Sequence, residues 1–108
     1  MILISRGVDE WVQIGQEAIL VAPTDIDRKG VRLIARGRMI GGPDDGGTFT
    51  RTADLGKGGE LRLGPHVIVV VVEVRGDFVR LGVHAPPHLS IQRKEVADAL
   101  KRAQRPEG

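Results

Sequence analysis

The chain has 108 residues, 41% of them apolar, a net charge of +2 and no cysteine. Its length allows one compact domain, or two very small units sharing one core, and its apolar content argues against wholesale disorder. The lack of cysteine excludes disulfides and thiolate metal sites and fits a reducing, cytoplasmic setting.

No membrane segment is expected, because the longest apolar run, Val67 to Val72, is far too short to span a bilayer. Met1 opens directly into Ile2-Leu3-Ile4 with no basic stretch, so no targeting signal is expected either. The charge is unevenly spread. Residues 1–60 carry 8 Lys/Arg against 9 Asp/Glu, and residues 61–108 carry 8 against 5. Five cations and two acids fall between Arg93 and Arg105. Such a local basic surface attracts phosphates, though an ordinary solvated helix face has the same composition.

Strand patterns dominate from the first residues. Ile2-Leu3-Ile4-Ser5-Arg6 reads as a strand ending in a turn at Gly7-Val8-Asp9-Glu10, and Trp11-Val12-Gln13-Ile14 as a second, stopped by Gly15. Ala18 to Ala22 continues extended to Pro23, which lacks a ladder donor and suits an edge or a bulge. Asp27-Arg28-Lys29-Gly30 is a hairpin turn into Val31-Arg32-Leu33-Ile34. Composition then changes. Residues 37–59 are rich in glycine and acids, broken by a short strand-like Thr48-Phe49-Thr50-Arg51, and predict a long, partly mobile connector. Gly56-Lys57-Gly58-Gly59 is no phosphate loop, since Glu60 follows and no strand-to-helix context surrounds it.

Leu61-Arg62-Leu63 resumes the strand pattern and stops at Gly64. The β-branched run Val67 to Val74 predicts a central strand covered on both faces. Arg75-Gly76-Asp77 is a tight turn, Phe78-Val79-Arg80-Leu81 returns antiparallel, Ala85-Pro86-Pro87 is an extended corner, and Leu89-Ser90-Ile91 is the last strand. One helix is expected, at the tail, with Val96, Ala99, Leu100 and Ala103 as a narrow apolar stripe. Asp98 stands four residues before Arg102, Lys101, Arg102 and Arg105 suit the helix C-terminus, and Pro106 ends it.

The two halves repeat. Trp11-Val12-Gln13-Ile14-Gly15 lies 49 residues before Glu60-Leu61-Arg62-Leu63-Gly64, and Val31-Arg32-Leu33 lies 48 before Val79-Arg80-Leu81. Ile4-Ser5-Arg6 reads as the counterpart of Phe49-Thr50-Arg51. Three matches in one order at nearly one spacing indicate a tandem duplication. The division expected is a truncated first repeat over 1–36, a glycine-rich connector holding a degenerate strand over 37–59, and a second repeat with its helix over 60–105.

Chemistry by side chains is poorly supplied. Ser5 and Ser90 are the only serines, both in strands, and no histidine has triad-like context. His66, His84 and His88 lack acidic or thiol companions. No enzyme, metal or other cofactor is expected. Trp11, Phe49 and Phe78 are too scattered for a base-stacking platform.

The stretch Leu61-Arg62-Leu63-Gly64, the valine strand, Phe78-Val79-Arg80-Leu81-Gly82-Val83-His84-Ala85-Pro86 and Leu89-Ser90-Ile91-Gln92-Arg93-Lys94-Glu95-Val96 resembles the carbon storage regulator (CsrA) family. The resemblance covers residues 61–103, and Met1 to Gly15 separately resembles the family's opening. It implies an all-β fold with a C-terminal α-helix, two units interlocked in a β-sandwich. Each RNA site would pair the first strand of one unit with the last strand of the other and recognise GGA in single-stranded or hairpin-loop mRNA, modulating translation. Arg93 is then the key RNA-contacting arginine, with Ile91 beside it, Ile4, Ser5 and Arg6 as the first-strand wall, and Ala85 and Pro86 on the adjacent loop. The chain departs from the family at Gly7, where a second arginine is usual, and at Pro87, where a lysine or similar polar residue is.

Because only repeat one keeps the opening strand and only repeat two the closing strand, the expected form is a single-chain pseudo-dimer with one site. The other topology is a homodimer in which residues 16–65 are an insertion. A small regulatory RNA or a protein antagonist is a further expected partner. The competing function is a degenerate protein-interaction module that binds a regulator or antagonist without touching RNA.

Overall fold

The computed structural model of the protein describes residues 1–16 and 18–103. Nine strands and one helix follow in chain order: β1 (Ile2–Gly7), β2 (Val12–Ile14), β3 (Ile19–Ile26), β4 (Val31–Arg38), β5 (Thr48–Leu55), β6 (Glu60–Arg62), β7 (Ile68–Val74), β8 (Phe78–His84), β9 (Ile91–Arg93) and α1 (Lys94–Ala103). The expected helix-terminal roles of Arg105 and Pro106 lie outside the described residues.

The strands form two antiparallel sheets, ordered β1-β8-β7-β6 and β5-β4-β3-β2-β9. Each sheet takes strands from both halves of the chain. β1 leaves the first half to pair with β8, Ile4 opposite Leu81 and Ser5 opposite Arg80. β9 leaves the second half to pair with β2, Ile14 opposite Ile91 and Val12 opposite Arg93. The two halves of the chain are therefore interlocked, as an all-β fold with a C-terminal helix.

Irregularities recur at the same spacing in the two halves. β3 and β4 slip register between Pro23 and Asp25, and β7 and β8 slip between Val71 and Glu73, 48 residues on in both cases. Pro23 sits at its bulge because a residue without an N–H is tolerated where the ladder is already broken. Gly15 (φ 74°) and Gly64 (φ 92°), 49 residues apart, stop β2 and β6 in the left-handed region that favours glycine. The core repeats as well. Val12, Ile14, Ile19, Val21, Val31, Leu33 and Ala35 match Leu61, Leu63, Val67, Val69, Val79, Leu81 and Val83, and all are buried in one cluster between the sheets. With each Leu, Ile or Val worth about 1.5–3 kcal/mol on full burial, this shared layer is the main stabilising element.

Register corrects one link of the repeat. Ser5 lies opposite Arg80, and Arg32, the equivalent of Arg80, lies opposite Asp54. Ile4-Ser5-Arg6 thus corresponds to Ala53-Asp54-Leu55 and not to Phe49-Thr50-Arg51. The stretch expected as connector is strand over Gly37–Arg38 and again over all of β5, which runs four residues past Arg51.

Three further expectations change. Val69 and Val71 are buried while Ile68, Val70 and Val72 are half-buried, so β7 is central in its sheet but packed fully on one face only. The last strand is Ile91–Arg93, two residues later than its pattern suggested, because Gly15 N–H donates to Ser90 O (2.7 Å) and Lys94 N–H to Trp11 O (3.0 Å), fixing the register on β2. In α1 the buried residue is Ala97, and Val96 and Leu100 are 45% and 46% exposed, so the apolar stripe faces solvent. Asp98 accepts from Lys94 Nζ at 2.7 Å, one turn back, where the sequence suggested Arg102.

Candidate nucleic-acid interface

β1 and β9 are edge strands of different sheets, and the core layer brings these edges together. Between them lies an open cleft of about 430 Å³ lined by Ile2, Leu3, Ile4, Ser5, Arg80, Ile91, Gln92 and Arg93. Alternation explains the lining. Ile4 turns toward the core while Ser5 shares a cross-strand pair with Arg80 on the opposite face of the sheet. On β9, Ile91 packs against the core and Arg93 is exposed at the start of α1.

Of the residues expected at the site, Ile4, Ser5, Ile91 and Arg93 meet in this cleft. Ala85 and Pro86 lie in the β8–β9 connection, half-buried and outside the cleft lining, where Leu89 N–H donates to Pro86 O at 3.0 Å. Arg6 points inward and is 4% exposed. Its Nη1 donates to Glu95 Oε1 at 2.7 Å and to Trp11 O at 3.2 Å, its Nη2 to Glu95 Oε2 at 3.1 Å, and its Nε to Ser5 O at 2.9 Å. The guanidinium thus ties β1, the start of β2 and the first turn of α1 together. The hydrogen bonds from Arg6, then that from its own backbone, hold the Glu95 carboxyl at about 2, well below its ordinary 4.5.

Sequence reasoning missed Arg80. Its strand alternation already set it on the face opposite Val79 and Leu81, but its partner strand, β1, lies at the other end of the chain. Among the described residues, neither Arg80 nor Arg93 has a side-chain hydrogen bond or a salt bridge within 4.0 Å, and no carboxylate lines their cleft. Two unsatisfied guanidinium forks beside a strand edge, with its outward backbone donors and acceptors, suit an extended anionic ligand with planar groups.

Fold and cleft together define a two-sheet β-protein of interlocked units with a cationic seam between strand edges. Residues 56–102 match the global regulator protein family CsrA. The translational regulator CsrA of Syntrophomonas wolfei is 35% identical over 57 residues, 48% of this chain and 75% of that protein. That of Rhodopirellula baltica is 59% identical over 34 residues, 32% of this chain and 49% of the relative, and that of Pseudarthrobacter chlorophenolicus 41% over 46 residues, 43% and 60%. No solved structure matches the chain. The chain belongs to the carbon storage regulator (CsrA) family, a family of post-transcriptional regulators. Among the described residues, no helix is long and apolar enough to cross a membrane.

Proposed function

We propose that this chain is an RNA-binding post-transcriptional regulator whose β1–β9 cleft takes a single-stranded GGA segment of an mRNA leader and so modulates translation. The observation that carries the reading is the meeting of Ile4, Ser5, Ile91 and Arg93 in one cleft, with Arg80 and Arg93 free of side-chain hydrogen bonds and ion pairs among the described residues. Guanine offers O6 and N7 to an arginine fork, and unstacked bases offer their edges to strand backbone. Arg93 is the principal RNA contact, Ile4, Ser5 and Ile91 form the walls, and Ala85 and Pro86 border the path of the RNA. Arg6 acts through position, by holding β1 and α1 on either side of the cleft.

The single chain supplies both interlocked units, so the working form is a monomeric pseudo-dimer. A gel shift with a hairpin RNA carrying GGA in its loop tests the function. Binding that weakens with added salt and disappears when GGA is replaced is the expected result. Binding indifferent to the replacement rejects it.

The second reading, a protein-interaction module, draws on the solvent-facing Val96 and Leu100 of α1. Under it, charge reversal on α1 abolishes partner capture, and GGA has no effect.

A further inference from the structure

The internal two-fold offers a comparison that an ordinary duplicated protein would lack: the same position in two states within one chain. Ser5 and Arg80 form a cross-strand pair on β1 and β8, and Asp54 and Arg32 form the equivalent pair on β5 and β4. At the first position Ser5 offers no carboxylate, Glu73 opposite Arg80 on β7 pairs instead with Arg75 at 2.6 Å, and Arg80 lines the cleft. At the second, Arg32 Nε donates to Asp54 Oδ1 at 2.7 Å and Nη2 to Oδ2 at 3.2 Å, a bidentate clamp. Arg32 lies in a hollow of about 380 Å³ that also holds Asp25, Asp27 and Asp54. Three carboxylates there face two cations, Lys29 and Arg32, whereas the β1–β9 cleft has two cations and no acid.

The rest of that face is closed too. By the repeat, the edge of β6 corresponds to the edge of β2 that receives β9. Among the described residues no strand lies there, and Arg51 Nη1 donates to Arg62 O at 2.7 Å, at the position equivalent to Gln13 opposite Gln92. A side chain thus satisfies a carbonyl that a strand satisfies on the other sheet.

We infer that the residue at the Ser5/Asp54 position decides whether a face accepts RNA: Ser5 keeps Arg80 available to phosphate and base, and Asp54 silences the equivalent arginine while adding a repelling charge. This rests on the RNA-binding reading above. A carboxylate opposite the arginine competes directly with the anionic ligand for the same fork, and what remains after neutralisation is a net negative surface.

The test is Ser5→Asp in the full chain, with Ser5→Asn as the uncharged match for size, titrated with a GGA-loop hairpin RNA. The backbone position tolerates aspartate, as Asp54 demonstrates at its equivalent. Both variants alter a wall of the cleft, and Ser5→Asp should weaken binding by about tenfold or more while Ser5→Asn weakens it markedly less. Arg80→Gln, which leaves Ser5 in place, should show a loss of similar size, and it carries the test if Ser5→Asp does not fold. A parent chain that binds while Ser5→Asp, folded by circular dichroism, binds equally well overturns this inference alone, as does an equal loss in Ser5→Asn. A parent chain that fails to bind overturns the RNA-binding reading itself.

Discussion

Arg6 and Glu95, 89 residues apart, share a bidentate ion pair at 2.7 and 3.1 Å, with the arginine side chain 5% exposed and the glutamate 59%. This contact joins β1 to α1 across the two interlocked units. Its pH dependence follows from the direction of the shift. Glu95 titrates at about 2 when folded against an ordinary 4.5, so it contributes stability above pH 4.5 that is lost as the pH falls toward 2. Acid titration followed by circular dichroism should show α1 loosening within that window, and Glu95→Gln should remove that pH dependence. A helix signal equally acid-sensitive in both proteins would contradict the assignment.

Replacing Glu95 with Ala leaves the buried Arg6 with two backbone acceptors, Trp11 O and Ser5 O, and a longer ion pair to Glu10 at 3.9 Å. Because the carboxylate is more than half exposed, the loss is moderated by solvent, to about 1–2 kcal/mol. Urea unfolding measures it. The same variant should also weaken RNA binding, since both cleft walls are anchored at this pair.

The interlocked core predicts one cooperative transition. Leu33 and Leu81 are two-fold equivalents, both fully buried in one cluster. Leu33→Ala and Leu81→Ala should each cost about 2–5 kcal/mol and lower the midpoint of the whole protein, with no early loss of one half. Two separated calorimetric transitions would show that the halves fold independently.

Much of this architecture was legible because alternation reports which face a strand buries. β1, β2, β4, β6 and β8 follow their patterns, while β3 runs three residues past the Pro23 that marks its bulge and β7 buries one face where its β-branched run suggested two. What escaped was what depends on partners distant in sequence. Leu89-Ser90-Ile91 reads as a better isolated strand than Ile91-Gln92-Arg93, and only the bonds to Gly15 and Trp11 select the latter. Thr52 to Leu55 lacks a strong apolar alternation and runs into glycine, so the length of β5 comes from its pairing with Val31 to Ile34. The resemblance sets Arg6 on the first-strand wall, and its pairing with Glu95, at the far end of the chain, is not visible in strand spacing. The exposed stripe of α1 obeys helical spacing, yet spacing alone does not say whether a body covers it.

Among the described residues Arg93 has no carboxylate partner within ion-pair distance, and it sits where β9 gives way to α1, where a cation meets the positive end of the helix dipole. That placement costs a little stability, so removing the charge should leave the fold unchanged or slightly firmer. Arg93→Ala should nonetheless cost about 1–3 kcal/mol of RNA binding. Thermal unfolding and a gel shift on the same sample separate the two effects, and an unchanged shift would refute the role.

Stoichiometry distinguishes a fused pair of units from two chains joined as partners. Each sheet already holds strands of both halves, which leaves no strand position on the β2 side for a second chain's β9. The β6 edge lacks a strand, and Arg51 occupies its carbonyl at Arg62. A hairpin RNA carrying two GGA sites should therefore bind two chains, one at each site, and a one-site hairpin should saturate at one RNA per chain. Native mass spectrometry of the free protein should give the monomer mass. Two RNAs bound per chain would mean that the Arg32–Asp54 face is open after all, and a stable free dimer would return residues 16–65 to the status of an insertion.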